Sequence, residues 1–293
     1  MEKYYKIRLT NGFQLEDDSE TNFNELKVKN RVVEEVMETF LFLHLCALTG
    51  RNDLRAIIRP PSGTWKLQDI SAISKDTGDM QFFELKRNNI NRKTLEQVND
   101  YLKIFKSSDR KKEIDELYKW RTEHLTKNKI ALLLTGAVVN LRTANEGIKA
   151  IQKASQSILE KQNTLRFISG YFKNKELTKS NYSNLGDLND KASLLAKALL
   201  YNKFQNIELY EKLCEYAEKW YNNLNPSVGF NNLSNHKEYN DTLWAVAPAI
   251  TQDGKNKLEE MRKNRINVKI LLLEIRKQPN QHNWFVKVQD EEE

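Results

Sequence analysis

Two short apolar runs, Trp65 to Ile73 and Met80 to Lys86, meet at Asp76-Thr77-Gly78-Asp79, and this junction constrains the fold more than any other feature of the chain. Turn chemistry between two β-like runs predicts a hairpin. Upstream, from Asn30 to Leu48, Val33, Val36, Phe40, Leu43 and Ala47 recur at three- and four-residue spacing. That is one face of an α-helix, with Asn22 or Asn24 placed to cap it and Gly50 to end it. Leu54 to Arg59 follows as a short strand stopped by Pro60-Pro61. Downstream, Leu95, Val98, Leu102 and Phe105 mark one face of a second helix, with Asn88 to Asn91 leading into it. Helix, strands, strand, helix predicts an α/β core.

The remaining chain extends this pattern. The start, YYKIRL, reads as a strand, and the acidic stretch Glu16 to Glu20 as a loop. Glu113 to Leu125 reads as helix, and Lys129 to Val139, short and apolar, as a buried central strand. Ala144 to Asn223 is mainly helical in pattern, and Asn222 to Asn240, rich in Asn, is the expected loop or boundary. Leu243 to Ile250, Lys255 to Arg265, Val268 to Arg276 and Trp284 to Val288 read as strand, helix, strand, strand, before an acidic tail, Asp290 to Glu293. The expected organisation is a core over 1–140, a helical insertion or second subdomain over 141–240, and a return to the core over 241–293.

Composition excludes several classes. With 39% hydrophobic residues and only 10 Gly and 5 Pro, the chain of 293 residues has material for a real core and too little turn-former bias for a disordered or collagen-like polymer. Its longest apolar runs, Phe40 to Leu48 and Ile130 to Val139, are half the ~20 residues that cross a bilayer, and MEKYYKIRL lacks a signal-peptide core. A soluble, cytoplasmic protein without membrane contact is expected. Cys46 and Cys214 are too few and too far apart for a disulfide framework or zinc site. His44, His124, His236 and His282 lack metal-ligand spacing. No Walker A, GxGxxG, GxSxG or RRM signature is present. The net charge of +7 suits a polyanionic partner and an ordinary solvated surface equally well.

The chemistry concentrates between Asp69 and Tyr101. In a strand, residues i and i+2 share a face, so Glu84 and Lys86 point the same way and Leu85 the other. Asp69, on the partner strand of the hairpin, reaches that face if the register permits. Two carboxylates within ~4 Å repel by about 4 kcal/mol at an effective dielectric near 20, so the patch calls for a cation. Mg²⁺ fits, because it takes one or two carboxylates and fills its other positions with water and phosphate. The ion would polarise a phosphoryl oxygen and acidify a water, with Lys86 orienting or deprotonating that water. The same triplet occurs at Glu25-Leu26-Lys27, but there a helix is expected, in which i and i+2 do not share a face.

Asp69, Glu84-x-Lys86 and Gln97-x-x-x-Tyr101 together resemble the PD-(D/E)xK nuclease superfamily, in particular its RecB-like and NucS-like branches with a QxxxY motif. The resemblance implies a restriction-endonuclease-like core, a mixed central sheet flanked by helices, around a mostly helical middle region. It implies that Asp69 and Glu84 bind one or two Mg²⁺ ions, with Mn²⁺ able to substitute, and that Lys86 is catalytic. It adds a metal-binding acid on the first core helix, for which Glu34, Glu35 and Glu38 all qualify. Projected at 100° per residue, Glu35 lies nearest the edge of the apolar face, Glu34 second, and Glu38 points away. Glu35 is therefore the expected third ligand. The closing strand, helix, strand unit is also similar to the end of many such nucleases.

Around this set, Arg87, Arg92 and Lys93 form an acid-free basic run suited to phosphate contacts, and Gln97 and Tyr101 are expected to face substrate. The resemblance favours DNA over RNA, in restriction, phage defence or repair, with a homo-oligomer or a partner protein completing the machinery. Tyr210, Tyr216, Trp220 and Tyr221 fit helix packing better than base stacking. The rival reading is a non-catalytic nucleic-acid-binding or scaffold protein on a nuclease-like fold.

Overall fold

The computed structural model describes residues 2–18, 23–27, 31–58, 69–104, 110–140, 196, 200, 208–224, 240–278 and 281–290. They fall in two compact units, one of Met1–Thr122 with Ser227–Glu293 and the other of Glu123–Pro226. Ten strands are described, all in the first unit: β1 (Glu2–Arg8), β2 (Leu15–Asp17), β3 (Leu54–Ile58), β4 (Ile70–Ser74), β5 (Met80–Leu85), β6 (Asn89–Ile90), β7 (Thr242–Ala247), β8 (Ala249–Ile250), β9 (Val268–Lys277) and β10 (Asn283–Asp290). The described helices are α1 (Glu34–Leu43), α2 (Leu45–Thr49), α3 (Arg92–Ile104), α4 (Arg110–His124), α5 (Lys127–Val139), α6 (Glu208–Leu224) and α7 (Gln252–Lys263).

Eight strands form one mixed sheet in the order β2-β1-β10-β9-β7-β5-β4-β3, while β6 and β8 make a separate parallel pair. β5 runs parallel to β7 and β7 to β9; the other neighbours are antiparallel. The expected hairpin is β4–β5, closed by a hydrogen bond from Ser74 N to Asp79 O at 2.9 Å. Gly78 takes φ 75° there, a left-handed conformation that glycine adopts without strain.

Because side chains alternate along a strand, the sheet has two distinct faces. On one, Met80 and Phe82 join Leu243, Ala245, Ala247, Val268 and Ile270, and α3, α4 and α7 cover them with Leu95, Val98, Tyr101, Ile114, Leu117, Leu258 and Met261. On the other, Phe40 of α1 packs on Trp284 with ring centroids 5.3 Å apart, and Phe83 stacks on Trp244 at 5.4 Å. The mixed sheet with helices on both faces accords with the predicted α/β class.

Several expectations need correction. Lys129 to Val139 is not a strand but most of α5, in the second unit. Ten consecutive residues, Ile130 to Val139, are buried, so the apolar pattern has no visible period and fits a buried helix as well as a strand. Local chemistry decides. Thr126 caps the helix by accepting from Lys129 N at 3.1 Å, Leu and Ala favour helix, and Asn140 ends it with φ 53°. α5 packs against α6, where Tyr210, Tyr216 and Trp220 are buried, as their packing assignment expects.

The first predicted helix is shorter than expected and is broken at His44 into α1 and α2. Its N-cap is Val33, not Asn24, which lies in a 3₁₀ turn, Phe23–Glu25; Asn22 is outside the described residues. Glu16 belongs to edge strand β2 and Asp290 to β10, where a loop and a tail were expected. The helical pattern of 144–207, apart from Ala196 and Leu200, and most of the Asn-rich boundary lie outside the described residues.

The start of α7 is held tightly against β6. Thr251 N donates to Ile90 O at 2.9 Å, and a Cβ on Gly254 would come within 2.7 Å of that same oxygen. Gly254→Ala is therefore expected to cost about 1–3 kcal/mol of stability, read from urea denaturation. A neutral result would mean that the α7 start shifts freely.

Candidate active site

Glu84 lies at the C-terminal end of β5, on the face covered by α3, and pairs in register with Ala245 of β7. The hairpin register, Ile70 opposite Phe83, brings Asp69 across from Glu84. Asp69 Oδ2 accepts from Leu85 N at 2.9 Å, which ties the aspartate to the end of the neighbouring strand. Lys86 extends β5, donating its backbone N–H to Val246 O at 2.8 Å, and its ammonium donates to Glu84 Oε1.

Glu84 is only 3% exposed, and both its carboxylate oxygens are engaged. Oε1 takes the Lys86 ammonium and Oε2 the Tyr101 hydroxyl, which in turn accepts from Gln97 Nε2 at 3.0 Å. Burial first, and then the charge of Asp69, push the Glu84 carboxyl up to about 7, against the opposing bonds from Lys86 and Tyr101. For Lys86, burial works to lower the pKa, but the bond to Glu84 and the charges of Glu84, Glu34 and Asp69 outweigh it and raise it. The ammonium is thus firmly held in its charged form. Burial and the charge of Glu84 raise the Tyr101 pKa, so the phenol remains a donor.

Of the three candidate acids on α1, Glu34 is the one hydrogen-bonded to the segment that follows Lys86. Glu34 Oε2 accepts from the Arg87 backbone N–H at 3.1 Å. Burial and then the charge of Asp69 raise its pKa, and the charge of Glu35 adds to this. Glu35 is the next residue on α1 and partly buried. Glu38 is not directed away from the core as expected, but is 3% exposed, because α1 is buried all round from Val36 onward. The helical projection failed because it assumed a solvent face.

Tyr101 also departs from expectation. At 1% exposure it belongs to the buried stripe of α3 with Leu95 and Val98, and its hydroxyl serves Glu84 instead of facing outward. Gln97 is exposed while bonding to Tyr101. Arg87, Arg92 and Lys93 are exposed, and Arg92 forms an ion pair with Glu96 at 2.8 Å. The other copy of the triplet, Glu25-Leu26-Lys27, lies in and after a 3₁₀ turn rather than in a strand. Tyr101→Phe should raise the Glu84 pKa above about 7, since the lost bond is one that lowers it. Carboxyl-carbon NMR titration reads this directly, and an unmoved midpoint would contradict the assigned bond.

Among the described residues, no group of three or more His, Cys, Asp or Glu side chains is gathered closely enough to hold a metal ion. The acids present, Glu34, Asp69 and Glu84, are carboxylates, the ligand type a hard divalent ion takes. Asp69 raises the pKa of both Glu84 and Glu34, which marks a concentration of negative charge only partly compensated by Lys86. No helix among the described residues is long and apolar enough to cross a membrane. Comparison of the chain with protein-family models, curated proteins and solved structures finds no match in any of the three.

Proposed function

We propose that this chain is a Mg²⁺-dependent nuclease that hydrolyses phosphodiester bonds, with DNA the favoured substrate by the resemblance of its motifs. One observation carries the reading: residues 34, 69, 84, 86, 97 and 101, far apart in sequence, are linked by hydrogen bonds and charge into one network around a buried carboxyl with a pKa of about 7. Perturbed carboxyls beside a lysine, at the C-terminal end of parallel strands, are where hydrolytic sites are built.

In this reading Asp69 and Glu84 hold the ion, with Glu34 ahead of Glu35 as the helix acid, and Mn²⁺ substitutes. The ion supplies Lewis acidity at the phosphoryl oxygen and a more acidic water. Lys86 must leave Glu84 for the carboxylate to be used, and its charged ammonium is then available to the developing negative charge on the substrate. Tyr101 keeps its bond to Glu84 Oε2 and fixes the carboxylate orientation, supported by Gln97. Arg87 and Lys93, with Arg92 once released from Glu96, provide cations for the phosphate backbone. A second copy or a partner protein completes the assembly in this proposal.

The engagement of both Glu84 oxygens favours a second reading, a nucleic-acid-binding module in which the carboxylates are structural. Incubation with supercoiled and linear duplex DNA, single-stranded DNA and RNA, in Mg²⁺, Mn²⁺ or EDTA, separates the two. The nuclease reading expects cleavage that EDTA and Asp69→Ala both abolish. Binding without cleavage of any substrate supports the module, and cleavage that persists in EDTA or in Asp69→Ala refutes the assigned site.

A further inference from the structure

Beyond the carboxylate site, a buried pair of opposite charges lies on β9. Glu274 and Arg276 are 8% and 7% exposed and, at positions i and i+2, share a face of the sheet. Glu274 Oε1 accepts from Arg276 Nε at 2.9 Å and from Arg31 Nε at 2.6 Å. The Arg276 guanidinium also donates to Phe23 O at 3.1 Å and to Leu26 O, and lies 4.4 Å from the Phe23 ring centroid. Bonds from Arg276 and Arg31 outweigh burial and lower the Glu274 pKa, so the cluster is a charged one.

Its location relates it to the site. The β7 pairing with β9 ends at Ala247 opposite Leu272, and beyond that point Arg31 and Val32 take the place of β7. Arg31 bridges Arg276, and Val32 N donates to Ile275 O at 3.2 Å. Three residues after Arg31 comes Glu34, which accepts the Arg87 amide. The segment clasped to β9 is therefore the one that delivers the α1 acid to the end of β5.

We propose that Glu274 is a positioning residue for the carboxylate site: by joining Arg31 to Arg276 it fixes the lead-in of α1 on the edge of β9 and so presents Glu34 to the Arg87 amide. Only its effect on cleavage rests on the nuclease reading; the geometric claim stands apart from it. Loss of the clasp frees the lead-in, and the Arg87 amide loses its acceptor, while the Lys86 amide keeps Val246 O.

Amide hydrogen exchange measured by NMR on the full chain tests this. Glu274→Gln and Arg31→Gln are each expected to speed exchange at Arg87 by about tenfold or more while leaving Lys86 unchanged. A merely structural role would accelerate both amides alike, and that result, or an unchanged Arg87 in both variants, overturns the proposal. Arg31→Gln leaves the buried Glu274–Arg276 pair intact, so it decides the matter if Glu274→Gln fails to fold. Glu34→Gln should speed Arg87 without affecting Val32. Where the wild type cleaves, Glu274→Gln should need about tenfold more Mg²⁺ for half-maximal rate. Where the wild type cleaves nothing, the nuclease reading fails and the exchange result still judges the clasp.

Discussion

On the proposed nuclease reading, Lys86→Met is expected to lower kcat for cleavage by about 10²- to 10³-fold, the usual cost of removing one preorganised charge-stabilising donor. The same substitution should move the Glu84 titration further above about 7, because the bond and charge of Lys86, with the bond from Tyr101, pull it down against burial and Asp69. At neutral pH the carboxyl would then be mostly protonated and a poor ligand for a cation. Two measurements therefore move together: the single-turnover rate and the Glu84 carboxyl-carbon titration. Lys86→Arg keeps the charge and should hold the titration near its wild-type position while still losing rate, because a guanidinium has a different shape and reach. If Lys86→Met cleaves at the wild-type rate, Lys86 is a structural counter-ion only.

Glu84 should also impose a pH dependence on stability. Its carboxyl titrates at 4.5 in its ordinary state and about 7 in the folded protein, so between these values the folded chain binds more protons than the unfolded one. Stability from this group is thus fully present below pH 4.5, falls as pH rises, and is lost above about 7. The amplitude is on the order of 3 kcal/mol. Glu84→Gln, which does not titrate, should be less sensitive to pH by that amount, and its stability relative to wild type should climb from pH 4 to pH 8. Urea denaturation of both proteins across that range reads the difference. A flat difference would show that Glu84 ionises normally, contrary to its surroundings.

The core order of helix, hairpin strands and helix was legible because each element has a local cause: a glycine turn or an apolar spacing. The Glu84 and Lys86 arrangement was legible for the same reason, since strand alternation alone puts both on one face. What escaped was set by distant packing. α5 is buried along its whole apolar stretch, which erases the periodicity that separates helix from strand. Choosing among Glu34, Glu35 and Glu38 depended on where α1 sits against β5, and that depends on contacts some 240 residues away in sequence. Tyr101, expected to face substrate, instead meets a buried acceptor supplied by the sheet below it. Glu274 and Arg276 did carry a signal, a charged pair on alternate positions of an otherwise apolar strand, but their partner Arg31 lies 243 residues away in sequence.

The pairing of β5 with β7 has a bearing on how the protein is made. Lys86 N–H must find Val246 O, yet β7 begins at Thr242, so a chain emerging at ~5–20 residues per second exposes one side of β5 for roughly 10–30 s before its partner exists. During that interval the strand bearing Glu84 is an open edge, with Phe82 and Phe83 beside it and no lateral cover from β7. A ribosome stalled within this interval would carry an apolar strand suited to pairing with a neighbouring nascent chain. Synthesis of residues 242–290 both supplies the missing strands and closes that route to aggregation.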